Sequence, residues 1–466
     1  MPLRKAIEHL RHDVRRIREK DSFSRNAFTV FSGNSVMLLS QLILTPLIAR
    51  IYGPEAYGIY GLVMALVMNL YAFADLGYSN AYVLPKEPGD FFHLLRLNLA
   101  LLMAVALAAL VAALAREGIY QALPSWSAMG DLFLLVPLIL VAYGSVQFAT
   151  MWLTRERAFR RSVMIGSASQ IGLRAFNLVY GLITKGALHG LVLGELVSGW
   201  ASLIAYRVAL SRHGWRHVLT GWSLAGIKRL AIEYRRFPLL TFPERWVSQL
   251  GMQLPVFLLI GDPAVVGHFA LSGALLLIPL RVFGYSFSTV YVQKAAETVE
   301  SDPELLGRIT KGLYQRLFWF GLIPFTLLVF FSDEAFRLIL GEEWHDAGVI
   351  TAYMGLFFYF RLLSEPMVTL FYAQRREHLL LVFQSVLTAA RLIALVALMR
   401  IDAASAILGF SLVSAIGYLV LGHLILHGVG QPALRLTLRT LAITTAACGA
   451  LAALRMAVLG SWFPSL

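Results

Sequence analysis

The chain has 466 residues, of which 58% are hydrophobic and 14% charged, and its mean hydropathy is +0.68. A water-soluble chain of this length has no use for so much apolar surface, so soluble enzymes and binding domains are excluded and a polytopic membrane protein is expected. The net charge of +13 fits basic residues gathered on one side of a bilayer, and no nucleic-acid partner is expected. Cys448 is the only cysteine, which rules out intrachain disulfides and cysteine-based metal centres. The histidines show no HExxH spacing, and there is no GxxxxGK[ST] loop for an ATP-hydrolysing cassette. No resident metal or cofactor and no enzymatic activity are therefore expected.

Residues 1–27 open the chain with a basic stretch. Leu3, Ile7, Leu10, Val14 and Ile17 recur at helical spacing among lysines and arginines. This pattern predicts an amphipathic helix lying on an anionic cytoplasmic leaflet, a solvated or partner-binding helix being the other reading. The charged start and a first apolar run long enough to span predict that no leader is cleaved. Thirteen apolar segments follow, at about 28–51, 58–84, 94–115, 129–153, 161–184, 187–210, 238–260, 264–292, 314–332, 347–371, 378–400, 404–426 and 437–458. Their length and unbroken apolar character predict membrane helices, not the alternating strands of a barrel.

Lys and Arg crowd onto alternate junctions, while the intervening ones carry only Arg50, Arg116, Lys185, Arg337, Arg400 and Arg455. That bias predicts a cytoplasmic N-terminus. Twelve or fourteen spans are the alternatives to thirteen, because Arg439 and Arg455 bracket a short last run. The non-cytoplasmic loops are all short, which leaves no room for a catalytic domain on that side. Residues 211–237 place Trp215, Leu219, Trp222, Ile227, Leu230 and Tyr234 near helical spacing among basic residues, predicting a cytoplasmic amphipathic linker. It joins a first half, 28–210, to a second half, 238–426; residues 427–466 hold the last span.

The halves carry a repeat. Ser-Gln-Leu opens both copies, at 40–42 and 248–250; Pro46 and Pro255 follow. Gly53-Pro54 and Gly261-Asp262-Pro263 form the turns, and Gly58-Ile59-Tyr60 and Gly267-His268-Phe269 open the second runs. A repeat near half the chain length is a mark of secondary transporters, and paired prolines in matching helices mark Pro46 and Pro255 as hinge candidates, a static kink being the alternative.

Charges within spans are costly and face a cavity or a partner. The cations are Arg174, Arg245, Arg281, Arg361 and Arg391; the acids are Asp75, Glu195, Glu365 and, nearer the cytoplasmic interface, Glu244. Two readings stand. One is internal pairing, such as Arg245 with Glu244 or Arg361 with Glu365. The other is a cationic cavity for an anionic substrate, since the guanidinium fork suits phosphate and keeps its proton. Asp75, Glu195 and Glu365 are likewise either ion-coupling acids, for a proton or sodium gradient, or packing partners.

Four stretches in order now carry a resemblance: ILTPLIARIYGPEAYGIYGLVMAL at 43–66; Gln253-Leu254-Pro255-Val256 through GHFALSGALLLIPLRVFGYSFSTVYVQKAAE at 267–297; LILGEEWHDAG at 338–348; and Ser364-Glu365-Pro366. Together they resemble the polysaccharide transporter, or oligosaccharide (O-antigen) flippase, family of the MATE-related (MOP) exporters. That family often has Ser-Pro without the intervening acid, so the role of Glu365 does not carry over. The resemblance implies an all-α, MATE-like bundle of two six-helix lobes around a central cavity, plus an extra C-terminal helix. It implies a bacterial cytoplasmic (inner) membrane protein that flips undecaprenyl-diphosphate-linked oligosaccharide for O-antigen, capsule or exopolysaccharide synthesis by alternating access. A polysaccharide polymerase and a chain-length regulator are the implied protein partners. The competing readings are a MATE-like drug/cation antiporter, which predicts a net acidic cavity, a membrane glycan polymerase or ligase, which needs a large external loop, and a scaffold for a synthesis complex.

Overall fold

In the computed structural model the backbone is described over residues 23–464 except 211, 282–290, 292–294, 296–297, 299–300 and 375, and side chains from residue 40 onward, those of 212–214 and 216 also excepted. The expected helix over residues 1–20 and most of the segment 264–292 beyond Arg281 lie outside the described residues. What is described is helical, and it contains no strand.

The first two expected segments form one continuous element, α1 (Phe23–Asp75), broken only at Gly53 (φ 71°, ψ 173°). Only glycine adopts that conformation without strain, and the following Pro54 keeps Gly53 out of the helical region. Helix α1 stays helical through Pro46, so the bend falls seven residues later than the proline suggests. Its second limb stops at Asp75, short of the expected residue 84, because Leu76 (φ 46°) and Gly77 (φ 78°) turn left-handed into a 3-10 turn, Tyr78–Val83. Then come α2 (Pro88–Leu114), the short α3 (Arg116–Ala122), α4 (Val136–Arg155), α5 (Phe159–Thr184) and α6 (Gly190–Ala209). The linker is two helices, α7 (Arg212–Leu219) and α8 (Leu224–Glu233), parted at Ser223, whose side chain caps α8 by accepting from Gly226 N at 3.1 Å.

A π-helical turn, Phe237–Thr241, leads into α9 (Phe242–Leu258), followed by α10 (Pro263–Pro279) and α11 (Pro303–Leu340). Helix α11 is far longer than the expected 314–332, since its polar first turns continue the helix beyond the apolar run. The chain ends with α12 (His345–Ser364), the short α13 (Thr369–Ala373), α14 (Glu377–Leu398), α15 (Ala403–Gly428) and α16 (Ala433–Leu459). With the two limbs of α1 taken separately, each expected segment overlaps a helix within the described residues. Eight of the described helices are long and apolar enough to cross a membrane by length and composition; α10 is a shorter apolar helix of 17 residues. The protein is a multi-pass membrane protein with an all-helical, two-lobe architecture.

In the first lobe α1 packs on α2, α4, α5 and α6, with α4 also against α6. In the second, α12 packs between α11 and α15, and α14 bridges α9 and α15. Helix α16 is pinned from outside the bundle. Arg455 donates to both carboxylate oxygens of Asp333 (2.8 and 2.6 Å) and to the Phe330 carbonyl, while Tyr314 and Thr440 hydroxyls meet at 2.9 Å. Arg455, read from sequence as a loop cation, is thus a buried docking group: it and Asp333 are only 4% and 2% exposed.

The lobes meet where the two copies of the repeat meet. A Cβ on Gly58 would lie 1.8 Å from the Pro263 carbonyl oxygen, and a Cβ on Gly267 would lie 1.8 Å from that of Pro54. The contact is reciprocal, and each side is a Pro-x-x-x-Gly, PEAYG and PAVVG. Glycine is required here for close approach, as in other small-residue helix crossings. The internal repeat is therefore a local two-fold: α1 and α10 cross backbone on backbone with equivalent residues exchanged.

Candidate functional site

The interior charges fall into three groups. In the first lobe, Tyr60 on α1 donates to Glu195 on α6 at 2.7 Å, and Arg174 on α5 lies within electrostatic reach of Glu195, Tyr57 and Tyr60. At the end of the bundle nearest the linker, Ser79 N donates to Asp75 at 3.1 Å, and Arg245 donates across the lobes to Asn80 at 3.1 Å. Glu244 is buried and accepts from Tyr372 at 2.6 Å, so the expected Arg245–Glu244 pair gives way to two separate bonds.

The third group lies in the second lobe, on α12, α14 and α15. Arg361 forks onto Glu365, with Nη2 to Oε1 at 2.9 Å and Nε to the other oxygen, and its guanidinium stands over the Phe358 and Tyr418 rings at 5.7 and 5.8 Å. One helical turn separates the two residues, and the pairing expected from that spacing forms. Arg391 is fully buried. Its Nε donates to Ser414 at 2.8 Å, and its guanidinium faces Phe357, Phe410 and Tyr418 at 5.4–5.7 Å. Nη1 and Nη2 reach no acceptor in hydrogen-bonding geometry among the described residues. Three aromatic faces and one hydroxyl replace the carboxylate that a buried arginine otherwise takes.

Arg281, just beyond the end of α10, is exposed and has no ion-pair or hydrogen-bond partner among the described residues; across the lobes it lies within electrostatic reach of Tyr143 on α4, which also senses Glu195. The acids differ from it. Asp75, Glu195, Glu244 and Glu365 each receive at least one short-range donor. Pro255 is buried within α9, and Pro46 is partly exposed on the first limb of α1.

Sequence reading missed the tyrosines. Tyr60 and Tyr372 are what hold Glu195 and Glu244, and a tyrosine in an apolar run carries no local signal of its distant acceptor. It also missed the residues that close the two ends of the seam between lobes. At the end with the Gly53 bend, Trp344 is fully buried, donates from Nε1 to Ala49 O at 3.2 Å and stacks edge-on against Tyr57. Arg50 caps the last carbonyls of α11, Ile339 at 3.0 Å and Leu338 at 3.1 Å. At the linker end, Asn69 donates to Gln253, and Phe73 packs on Phe242 and Trp246. No group of three or more His, Cys, Asp or Glu among the described residues has the spacing of a metal site.

Comparison with known proteins agrees with this geometry. The family described as polysaccharide biosynthesis protein matches residues 47–349, more than half of the chain. No curated protein matches the sequence. Among solved structures, the lipid II flippase MurJ in an inward closed conformation is similar with a TM-score of 0.66 and 14% identity, over 90% of this chain and 91% of that one. An inward-facing multidrug resistance MATE family transporter of the MOP superfamily is similar with a TM-score of 0.62 and 14% identity, over 86% and 95%. A MOP superfamily transporter from Pyrococcus furiosus, described by the reverse polarity of its binding pocket, gives 0.58 and 13%, over 87% and 96%. At these identities the structures share the fold. With more than half its length matched by the family model, the chain belongs to the polysaccharide biosynthesis protein family, built on the two-lobe fold of the MOP exporters.

Proposed function

We propose that the protein flips an undecaprenyl-diphosphate-linked oligosaccharide across the bacterial cytoplasmic membrane for surface polysaccharide synthesis, by alternating access of its two lobes. The observation that carries this reading is the charge balance inside the bundle. Among the described residues the interior acids Asp75, Glu195, Glu244 and Glu365 are each engaged by a donor, whereas Arg281 is exposed and pairs with none of them. An interior left net cationic suits a diphosphate and repels a cationic drug. The linker end is assigned to the cytoplasm by its lysines and arginines, so the Gly58–Gly267 crossing closes the opposite side.

In this mechanism Arg281 meets the diphosphate from the cytoplasmic side, and Arg361 joins it by exchanging Glu365 for phosphate. The glycan crosses in the interior while the lipid tail stays in the bilayer. The lobes then rock, and contact passes from one end of the seam to the other. A proton gradient drives the cycle if protonation of Glu365 frees Arg361; sodium is the other candidate ion. Arg174, Arg245 and Arg391 are support for the field of the site, since the first two are engaged across neighbouring elements and the third is enclosed in an aromatic cage. A drug or cation antiporter is the second reading, carried only by the fold it shares with MATE transporters.

The test is an assay of lipid-linked oligosaccharide on each membrane face in a deletion strain. Wild type should relieve accumulation on the cytoplasmic face, and Arg281→Glu should fail by about a hundredfold or more, while Glu365→Gln should keep flipping but lose its dependence on the gradient. Full export by Arg281→Glu would overturn the cationic site; normal outward lipid-linked intermediate in the deletion strain would overturn flipping itself.

A further inference from the structure

A cavity of about 330 Å³ lies outside the lobe seam, between α2, α4 and α6, and α7 forms its roof. Leu99, Ser145, Phe148 and Trp152 line its wall, Trp215 of the roof closes one side, and Arg207 stands at the rim. The volume is in the range of sites that hold small ligands. From Trp152 to Ser145 the lining runs about 10 Å along α4, at 1.5 Å per helical residue.

The roof is fixed. Arg96, buried on α2, donates to the carbonyls of Val218 (3.2 Å), Gly221 (2.8 Å), His217 and Thr220, and so caps the end of α7 with one guanidinium. The Trp152 and Trp215 rings meet at a tilt of 57° with centroids 5.8 Å apart. Just beyond the roof, Leu219, Trp222 and Leu224 are 74%, 53% and 84% exposed, an apolar skirt that sets this level of the protein at the bilayer interface. The rim is basic. Arg207 and Arg161 are both exposed, and Arg161 donates to Ala209 O at 3.3 Å, two residues along from Arg207. The nearby acid, Glu156, is held by Trp152 Nε1 at 2.7 Å.

We infer that this cavity is a binding site for an anionic glycerophospholipid of the leaflet at the linker end, with an acyl chain between α2, α4 and α6 and the headgroup phosphate on Arg207. The apolar wall matches an alkyl chain, the rim matches a phosphodiester in charge, and the pinned roof holds the slot open. This inference needs only that the chain is membrane-embedded; it does not rest on the flippase reading.

Trp152 and Trp215 supply the readout. The full-length protein is titrated in mixed micelles with phosphatidylglycerol or phosphatidylcholine brominated on the acyl chain, and quenching is taken as the difference between wild type and Trp215→Phe. Saturation should need about tenfold less phosphatidylglycerol than phosphatidylcholine, and Arg207→Glu should abolish that preference. Ser145→Phe, which fills the wall, should remove the saturable component for both lipids. A parallel reading is the thermal midpoint, which phosphatidylglycerol should raise in wild type and not in Arg207→Glu. Equal quenching by both lipids, a preference that survives Arg207→Glu, or stronger displacement by polyprenyl phosphate than by phosphatidylglycerol would each overturn the proposal.

Discussion

The two ends of the seam between the lobes are built differently. At the end with the Gly53 bend the contact is backbone against backbone at Gly58 and Gly267, backed by the fully buried Trp344 and by Arg50 on the carbonyls of α11. At the linker end it is side chain against side chain: Asn69 with Gln253, Arg245 with Asn80, and Phe73 on Phe242 and Trp246. A backbone crossing has no rotamers to change, so it is either closed or parted. Polar and aromatic tips exchange partners by rotation at small cost. The linker end therefore yields first, by side-chain rearrangement, and the bend end opens only when the lobes move as bodies.

Four substitutions test this contrast. The largest effect is expected at Trp344. Trp344→Ala removes a fully buried tryptophan side chain and its bond to Ala49, and should cost about 3–5 kcal/mol, read as a lowered midpoint of thermal unfolding. A midpoint within a degree of wild type would mean that the bend end is not held through Trp344. Next come Gly58→Ala and Gly267→Ala. Each places a methyl group on a carbonyl oxygen that belongs to the opposing backbone, and should cost about 1–3 kcal/mol. The seam itself can be watched with a Val266→Cys reporter on a Cys448→Ala background, since Val266 is fully buried on α10 and its side chain stands 3.9 Å from where a Cβ of Gly61 on α1 would lie. Either alanine should make that cysteine reactive to a water-soluble maleimide, and the two should act alike because the contact is reciprocal; silence from one of them would break the two-fold. The smallest effect belongs to Gln253→Ala at the linker side, about 1 kcal/mol for a part-buried side-chain bond. A loss as large as that of Trp344→Ala would show that both ends are equally rigid.

The membrane class was legible because composition is summed over the whole chain and needs no contacts. The helices were legible because each apolar run satisfies its own backbone, so their placement along the chain follows from local sequence. Their ends were less so: the second limb of α1 stops at Leu76 and Gly77 by a left-handed turn within an apolar run, and α11 runs on through polar turns that hydropathy discards. The Arg361–Glu365 pair was legible because it lies within one turn of one helix. Arg245 was not, because its choice of Asn80 over the adjacent Glu244 is made across the lobe seam.

Composition and spacing alone specify a membrane-embedded, helical, internally repeated chain with more interior arginines than acids. Only the tertiary structure decided what the repeat is for. Pro54 and Gly58 say nothing of Pro263 and Gly267 until the helices cross, and the crossing depends on an absence of side chain that can be read only from what stands opposite. The same holds for Arg455 and Asp333, which close a bond between α11 and α16, and for Glu195, whose donor Tyr60 comes from another helix. Local chemistry fixes what each helix can offer, and long-range packing chooses which offers are met.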